Sequence, residues 1–435
     1  MSKIKPKIDL NSRFQETLDL MENTRDNIFL TGKAGTGKST LLQYFRTTTA
    51  KKIVVVAPTG VAALNVSGQT IHSFFRFAPG ISPEDIKFEK KSKKLTQILK
   101  KLDMIIIDEI SMVRADLLDC IDESLRYYLL NNKPFGGIQM VFIGDLFQLP
   151  PIVVGEEEMR KFRTQYPSPY FFSANVMQQI DIKIIELETI YRQSDQIFID
   201  LLNKIRTNRA DSDDISLLNS RCQVDYFEPE DMYITLTTTN IAADDINKYK
   251  LAQLTTKSYL LAGELAGDFS TKQLPTQVDL EVKIGSQIML LNNDAADRWV
   301  NGSMGRIIDI TNNQFDDDIV LVVKLDNGET VEVDRYTWRA TSYFYNPDTK
   351  IMDSETVGSF TQYPIRLAWA VTIHKSQGKT FNHVVLDIGR GAFAHGQTYV
   401  AISRVTSLQG LLLRRPISPR DISIDTQVVE FMAKK

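Results

Sequence analysis

At 435 residues the chain exceeds what one hydrophobic core organises, so two or three domains are expected, and a composition of 43% apolar and 24% charged residues is that of an ordinary globular protein. No apolar run approaches the roughly 18 residues of a membrane helix, and the two cysteines, Cys120 and Cys222, are too far apart to read as a disulfide framework or a metal site. A formal net charge of −3 excludes polyanion binding by a global positive field while leaving room for a local basic groove.

The opening residues, "MSKIKPKIDLNSRF", carry no leader pattern. A reduced compartment is expected, cytoplasmic or nucleoid-associated, with no membrane partner. Four short β-branched runs then follow: "NIFLTG", "KIVVVAPTG", "MIIIDE" and "IQMVFIGD". Each is continuously apolar, as a strand buried on both faces must be. Between them lie helical stripes such as Leu117, Leu118, Ile121 and Leu125. Alternating strand and helix predicts an α/β fold with a parallel sheet, here over residues 1–175, with ligands beyond the carboxyl ends of the strands.

A second α/β pattern starts at "IKIIELETIYRQ", continues through "MYITLTTTN" and a helix from Ile241, and resumes after about residue 356. It is expected over 176–254 and 356–435. Between these segments, short alternating runs divided by Gly, Asn and Asp predict a small β-barrel over 255–355, with a hairpin turn at "DNG", Asp326 to Gly328. The lysine-rich stretch 87–101 reads as a solvated helix face, with phosphate contact as the alternative.

The segment "GKAGTGKS" matches G-x-x-x-x-G-K-[ST]. Its backbone, Gly32, Lys33, Ala34, Gly35, Thr36 and Gly37, is expected to curl N–H groups around one phosphate. Lys38 would reach the β- and γ-phosphates, and Ser39, followed by Thr40, would hold Mg²⁺. In "MIIIDEIS" a buried strand delivers Asp108 to the Mg²⁺ shell and Glu109 to the attacking water. No N-K-x-D segment is present, which favours ATP over GTP. Gln148 in "FIGDLFQLPP" is read as a γ-phosphate sensor, with a strand-terminal cap as the bland alternative. Arg192 of "IYRQ" and Arg404 of "YVAISRV" are read as fingers that the second α/β domain lends to the transferring phosphoryl group.

A second set of residues suits a single nucleic-acid strand. "APTGVAALNVSGQTIHSFF" offers Pro58, Thr59, Gly60, Asn65, His72 and Phe75; "TLTTTN" offers Thr237, Thr239 and Asn240; "TIHKSQG" offers Thr372, His374 and Lys375. Hydroxyls, amides and backbone N–H groups bind phosphates without reading sequence, and His or Phe rings stack bases.

These segments, with "IIDEISMV", "GDLFQLPP", "IHKSQGKTF" and "ADLLDCIDESLRYYLLNNKPFGGIQMV", closely resemble the PIF helicase family within superfamily 1, over residues 10–415. The resemblance implies two RecA-like P-loop domains with an SH3-like barrel inserted in the second, and a small wedge insertion at about 63–80. It implies that Gln15 recognises adenine, that Gln377 and Gly378 join the nucleotide-binding set, and that the residues named above form the ATPase site and the strand track. The expected activity is 5′-to-3′ translocation on single-stranded DNA, with unwinding of duplexes, forks, G-quadruplexes or RNA–DNA hybrids; the chain is expected to be a monomer in solution, with association on DNA as the alternative. An RNA helicase, a helicase subunit of a larger complex, and an ATP-switched clamp that does not unwind are the alternatives.

Overall fold

All four apolar runs of the first third become strands of one sheet in the computed structural model, which describes residues 11–88, 90–153, 155–222, 232–271, 274–312, 319–347, 349 and 351–433. The start of the chain searched for a leader, and Glu89 of the lysine-rich stretch, lie outside the described residues. The strands are β1 (Asn27–Gly32), β2 (Ile53–Ala57), β3 (Gln69–Thr70), β4 (Met104–Ile107), β5 (Gln139–Ile143) and β6 (Ile182–Leu187). Their order is β3-β2-β4-β5-β1-β6, with every neighbouring pair parallel.

Both faces of this sheet are covered, which is why its strands are apolar without alternation. Phe29, Ile105, Ile107 and Phe142 face a core shared with Leu118, Ile121 and Leu125. Their neighbours Ile28, Leu30, Ile106 and Val141 face the opposite one, with Phe14, Met21, Leu41 and Phe45. Helices α1 (Ser12–Asn23), α2 (Lys38–Thr48), α3 (Gly60–Asn65), α4 (Ile71–Phe75), α5 (Lys93–Leu99) and α6 (Ala115–Leu129) supply these faces and the segments beyond the strand ends.

One expected boundary is corrected. "IKIIEL" does not open the second α/β domain; it is β6, paired with β1 from Asn27↔Ile182 to Gly32↔Leu187. Its inward residues Ile185 and Leu187 complete the core around Leu30. The run reads equally well as the first strand of a new sheet, because pairing partners leave no trace in a strand's own pattern. The chain passes from its first compact unit to its second between Tyr191 and Arg192, later than the expected 175.

The second unit comprises Arg192–Arg339 and Gly358–Ile424. Its parallel sheet has four strands in the order Ala370–Thr372, Ile234–Thr237, Val384–Asp387 and Leu411–Leu413. The helix Asn240–Gln253 follows the Ile234–Thr237 strand. The inserted region forms an antiparallel sheet of five strands, Thr330–Val333, Ile319–Leu325, Met304–Asn312, Gln287–Leu290 and Ile365–Leu367. It has a core of its own around Ile288, Trp299, Ile307, Leu321 and Val323. The "DNG" turn joins two of these strands, as read, with Gly328 at a φ of 90° that favours glycine.

Two segments depart from the expected division. The far part of the Tyr336–Asn346 and Ile351–Gln362 hairpin, Ala340–Val357, groups with the first unit and not with the insertion. There the Val55 N–H donates to the Tyr343 hydroxyl at 3.4 Å, Gln69 Nε2 donates to the Thr341 carbonyl at 2.6 Å, and Lys94 pairs with Glu355. From Asp425 onward the chain also belongs to the first unit, where Phe431 stacks on Phe172 with ring centroids 4.5 Å apart. In neither case does local sequence announce the partner.

Candidate nucleotide and nucleic-acid sites

The phosphate loop links β1 to α2 in the first unit. Gly37 stands at φ 83°, directly before Lys38, and a Cβ there would also lie 3.1 Å from the Phe14 ring. At Gly32 a Cβ would come within 2.7 Å of the Leu187 carbonyl and 2.8 Å of Thr36 Oγ1. Both positions therefore require glycine, one for its backbone angle and one for the close approach of β6. Lys38 Nζ donates to the carbonyls of Gly32 at 2.6 Å and Lys33 at 3.0 Å, so the loop holds its own cation at its centre. Thr36 Oγ1 donates to the Lys33 carbonyl at 2.9 Å, and Gly35 accepts from the Tyr191 N–H at 2.9 Å. Ala34 is buried, whereas Ser39 and Thr40 are exposed at the start of α2.

Asp108 leaves the end of β4 almost fully buried. Burial and the charge of Glu109 hold its carboxyl well above the usual carboxylate range, while Lys38 pulls the other way. Glu109 stands at φ 52°, a left-handed angle costly for a side chain with a Cβ, and turns the chain into Ile110–Met112. Among the described residues no group of three His, Cys, Asp or Glu could hold a metal. A magnesium ion held by one carboxylate, one hydroxyl, phosphate oxygens and water needs no such group, and Asp108 and Ser39 are of the residue types it would take.

Gln148 follows β5, which lies between β4 and β1 and so brings it toward both. It is 8% exposed, and its Nε2 donates to Asp145 Oδ2 at 3.3 Å. Asp145, 1% exposed, is a member of this loop that the sequence reading passed over; the Gly-Asp pair at the end of a buried strand was the available signal. Gln15 is exposed on α1, whose N-cap Asn11 also donates to the Tyr191 hydroxyl at 3.2 Å, while its neighbour Phe14 abuts Gly37. The helix carrying Gln15 is thus anchored against the phosphate loop. Tyr191, 50% exposed and bonded to Gly35, is a second neighbour that sequence reading missed.

In the second unit the two expected arginine fingers meet at Ser403. Arg192 Nη1 donates to the Ser403 carbonyl at 3.1 Å, and Arg404 Nη2 donates to Ser403 Oγ at 2.8 Å. Gln193 Nε2 ties the same turn through the Ser403 and Val405 carbonyls. Burial lowers the Arg192 pKa, and Arg404 is only 1% exposed. Gln377 Nε2 is buried with no hydrogen bond among the described residues, next to Gly378. Such an orphaned donor suits a ligand oxygen.

The strand-track residues divide into two groups. Thr59 caps α3 by accepting the Ala62 N–H, and Thr239 caps the Asn240–Gln253 helix by accepting the Ala242 N–H; both are exposed, each directly beyond a parallel strand. Asn65, Asn240 and Lys375 are exposed, and Pro58, Gly60, His72 and His374 half-buried, with burial lowering the pKa of both histidines and of Lys375.

Three members are corrected. Phe75 is 3% exposed, stacked on Phe77 with centroids 5.2 Å apart, and serves the core instead of offering an open face to a base. Thr237 is 1% exposed, and its hydroxyl donates to the Thr239 carbonyl, shaping the loop from within. Thr372 is 4% exposed, and its Oγ1 accepts the Lys375 N–H. Residue type suggested contact with a ligand; burial decides otherwise. Conversely, Lys379 was overlooked. It is buried and bonded to Asn301, and burial together with Arg366 lowers its pKa to about 7.

A parallel sheet ending in a phosphate loop and a strand-end Asp-Glu pair, followed by a second parallel sheet, defines a RecA-like P-loop nucleotide hydrolase. Comparison with known proteins narrows this class. Residues 10–215 match the PIF1-like helicase family. The chain is 33% identical to the ATP-dependent DNA helicase Pif1 of Bdellovibrio bacteriovorus, over 98% of this chain and 92% of that protein. The crystal structure of Bacteroides sp Pif1 in complex with ADP-AlF4 superposes with a TM-score of 0.91 at 35% identity, covering 98% of this chain and 97% of that one. Bacteroides Pif1 bound to single-stranded DNA matches with a TM-score of 0.69 at 36% identity over the same shares. The chain belongs to the PIF1-like helicase family, and with it to the enzymes that couple ATP hydrolysis to unwinding.

Proposed function

We propose that the chain moves 5′ to 3′ along single-stranded DNA at the expense of ATP and Mg²⁺, opening duplexes at single-strand junctions, with forks, G-quadruplexes and RNA–DNA hybrids as substrates, and that it does so as a monomer. The observation that carries this reading is the Lys38 ammonium held on the Gly32 and Lys33 carbonyls beside the Asp108–Glu109 strand end. A triphosphate offers that ammonium stronger acceptors than two neutral carbonyls do. The bound metal would supply charge neutralisation on the phosphates, with Asp108 and Ser39 as its protein ligands.

In this scheme Gln15 reads adenine, Glu109 orients the attacking water, and Gln148 senses the γ-phosphate by exchanging Asp145 for it. Arg192 and Arg404 stabilise charge on the transferring group, worth about 10³–10⁵ in rate. Gln377 and Gly378 contact the nucleotide next to the Thr372–Lys375 segment, which offers a route from hydrolysis to the strand. Thr59, Thr239, Asn65, Asn240, His72, His374 and Lys375 hold the strand through phosphates and rings. Separating one DNA step costs about 1.4 kcal/mol, a modest load for one ATP per nucleotide.

Matched duplexes carrying either a 5′ or a 3′ tail test the proposal. Unwinding restricted to the 5′-tailed substrate, with ATPase stimulated more by DNA than by RNA, is the expected result. Equal or opposite tail preference would remove the polarity, and stronger stimulation by RNA would replace the substrate.

A further inference from the structure

The lysine-rich stretch 87–101 holds seven lysines and one glutamate, a local charge of +6 in a chain whose net charge is −3. Part of it lines a cavity of about 330 Å³ in the first unit, whose walls are Phe75, Phe77, Ile86 and Tyr128 and whose polar lining is Arg76, Lys90, Lys91, Ser92 and Ser124. That volume falls in the lower range of small-ligand sites, about 300–1,000 Å³. Four features give it a chemistry.

Its walls are aromatic and aliphatic. Arg76 and Lys90 are exposed, with no carboxylate partner among the described residues. The Lys91 ammonium is steadied by the Tyr127 carbonyl at 2.6 Å and lies 4.1 Å from the centroid of that ring, leaving its remaining protons for another acceptor. Finally, Ser124 lines the cavity at 1% exposure and makes no hydrogen bond to any described residue. Its hydroxyl is therefore left to whatever occupies the cavity. Nearby acids are directed elsewhere: Asp85 accepts from Ser82, and Glu123 lies 4.0 Å from Lys87.

We propose that this cavity takes one base of a single nucleic-acid strand, with Arg76, Lys90 and Lys91 on its flanking phosphates and the Ser124 hydroxyl on the base edge. The occupant follows from charge complementarity and from continuity with the proposed track. Arg76 is the C-cap of the short helix that carries His72, and the Phe77 ring meets the His72 ring edge-on at 6.4 Å between centroids. The inference rests on the strand-binding reading and adds a subsite beyond it.

The test is equilibrium binding of a short single-stranded oligodeoxynucleotide in which one abasic position is moved along the strand. In the wild type, one position is expected to cost fivefold or more in affinity, in line with the roughly 1–3 kcal/mol of a stacked base. Ser124→Leu, which narrows the cavity and removes the hydroxyl, should bind more weakly and lose that position-specific penalty. A second variant, Arg76→Glu with Lys90→Glu, leaves the cavity open and should weaken binding about tenfold at low salt. It should also lower the salt slope by about 1.4, for two contacts at roughly 0.7 each on a single strand.

An abasic profile that is the same in Ser124→Leu as in wild type overturns the subsite and leaves the cavity to an acidic protein partner. If thermal unfolding shows Ser124→Leu misfolded, the charge-reversed variant decides, and an unchanged salt slope overturns the proposal. A wild type that binds no oligonucleotide at all refutes the broader functional reading along with the subsite.

Discussion

The two parallel sheets repeat one device and differ in another. In each, a threonine just beyond a strand end caps the next helix with its hydroxyl: Thr59 on α3, Thr239 on Asn240–Gln253. Each thus presents uncapped backbone N–H groups and a hydroxyl at a strand end, the arrangement that suits a phosphate. Only the first unit also carries a glycine loop with a lysine and an acidic pair. The second carries instead two arginines gathered on Ser403, Arg404 buried and Arg192 half-buried. On the proposed function the shared device would serve the strand and the unshared ones the nucleotide, making the halves equivalent toward nucleic acid and unequal toward ATP.

Four changes test that contrast. Glu109→Gln should retain ATP and single-strand binding while abolishing unwinding, because the amide cannot take up a proton; a helicase assay showing full unwinding would contradict the assignment. Arg192→Ala should lower the single-strand-stimulated ATPase rate by about 10³ or more with little change in ATP affinity, the signature of a group that acts on the transition state. A loss confined to KM would make Arg192 a binding residue.

Smaller effects follow for the shared device. Thr59→Ala and Thr239→Ala should each remove about 1 kcal/mol of stability through the lost cap, and both should weaken single-strand affinity to a similar degree. Denaturant titration and oligonucleotide binding together check this, and a strong effect from only one would break the equivalence. The last effect is a pH dependence. Lys379 has a folded pKa of about 7 against an ordinary 10.5, so the unfolded chain holds more protons between those values and stability rises with pH across that window. Lys379→Met should flatten this rise, and its advantage over wild type should be greatest below pH 7 and shrink toward pH 10.5. Unfolding midpoints measured from pH 6 to pH 10 would show it.

How far the sequence could be read depended on whether the determining contacts were local. β1, β2, β4 and β5, the phosphate loop and the Asp108–Glu109 pair are each contiguous, and each carries its own signal in glycine spacing or unbroken apolar runs. The position of "IKIIEL" was misread because a strand's sheet is chosen by a distant partner, here Asn27 for Ile182, 155 residues away. Phe75, Thr237 and Thr372 were misread because a ring or a hydroxyl looks the same in sequence whether it faces solvent or core. Tyr343 and Phe431 were not recognised as parts of the first unit because both return to it from far along the chain.

The sequence by itself determined which residues form the phosphate-loop pattern, since a curled run of N–H groups, a lysine and a strand-end carboxylate follow from composition over a few neighbouring positions. Tertiary structure alone decided which polar groups keep a surface for ligands and which are consumed inside. It drew Arg192 and Arg404 to one serine and opened a basic, aromatic-walled cavity beside His72. The reason is that exposure is a property of packing among distant segments, and short-range patterning carries no information about which of them meet.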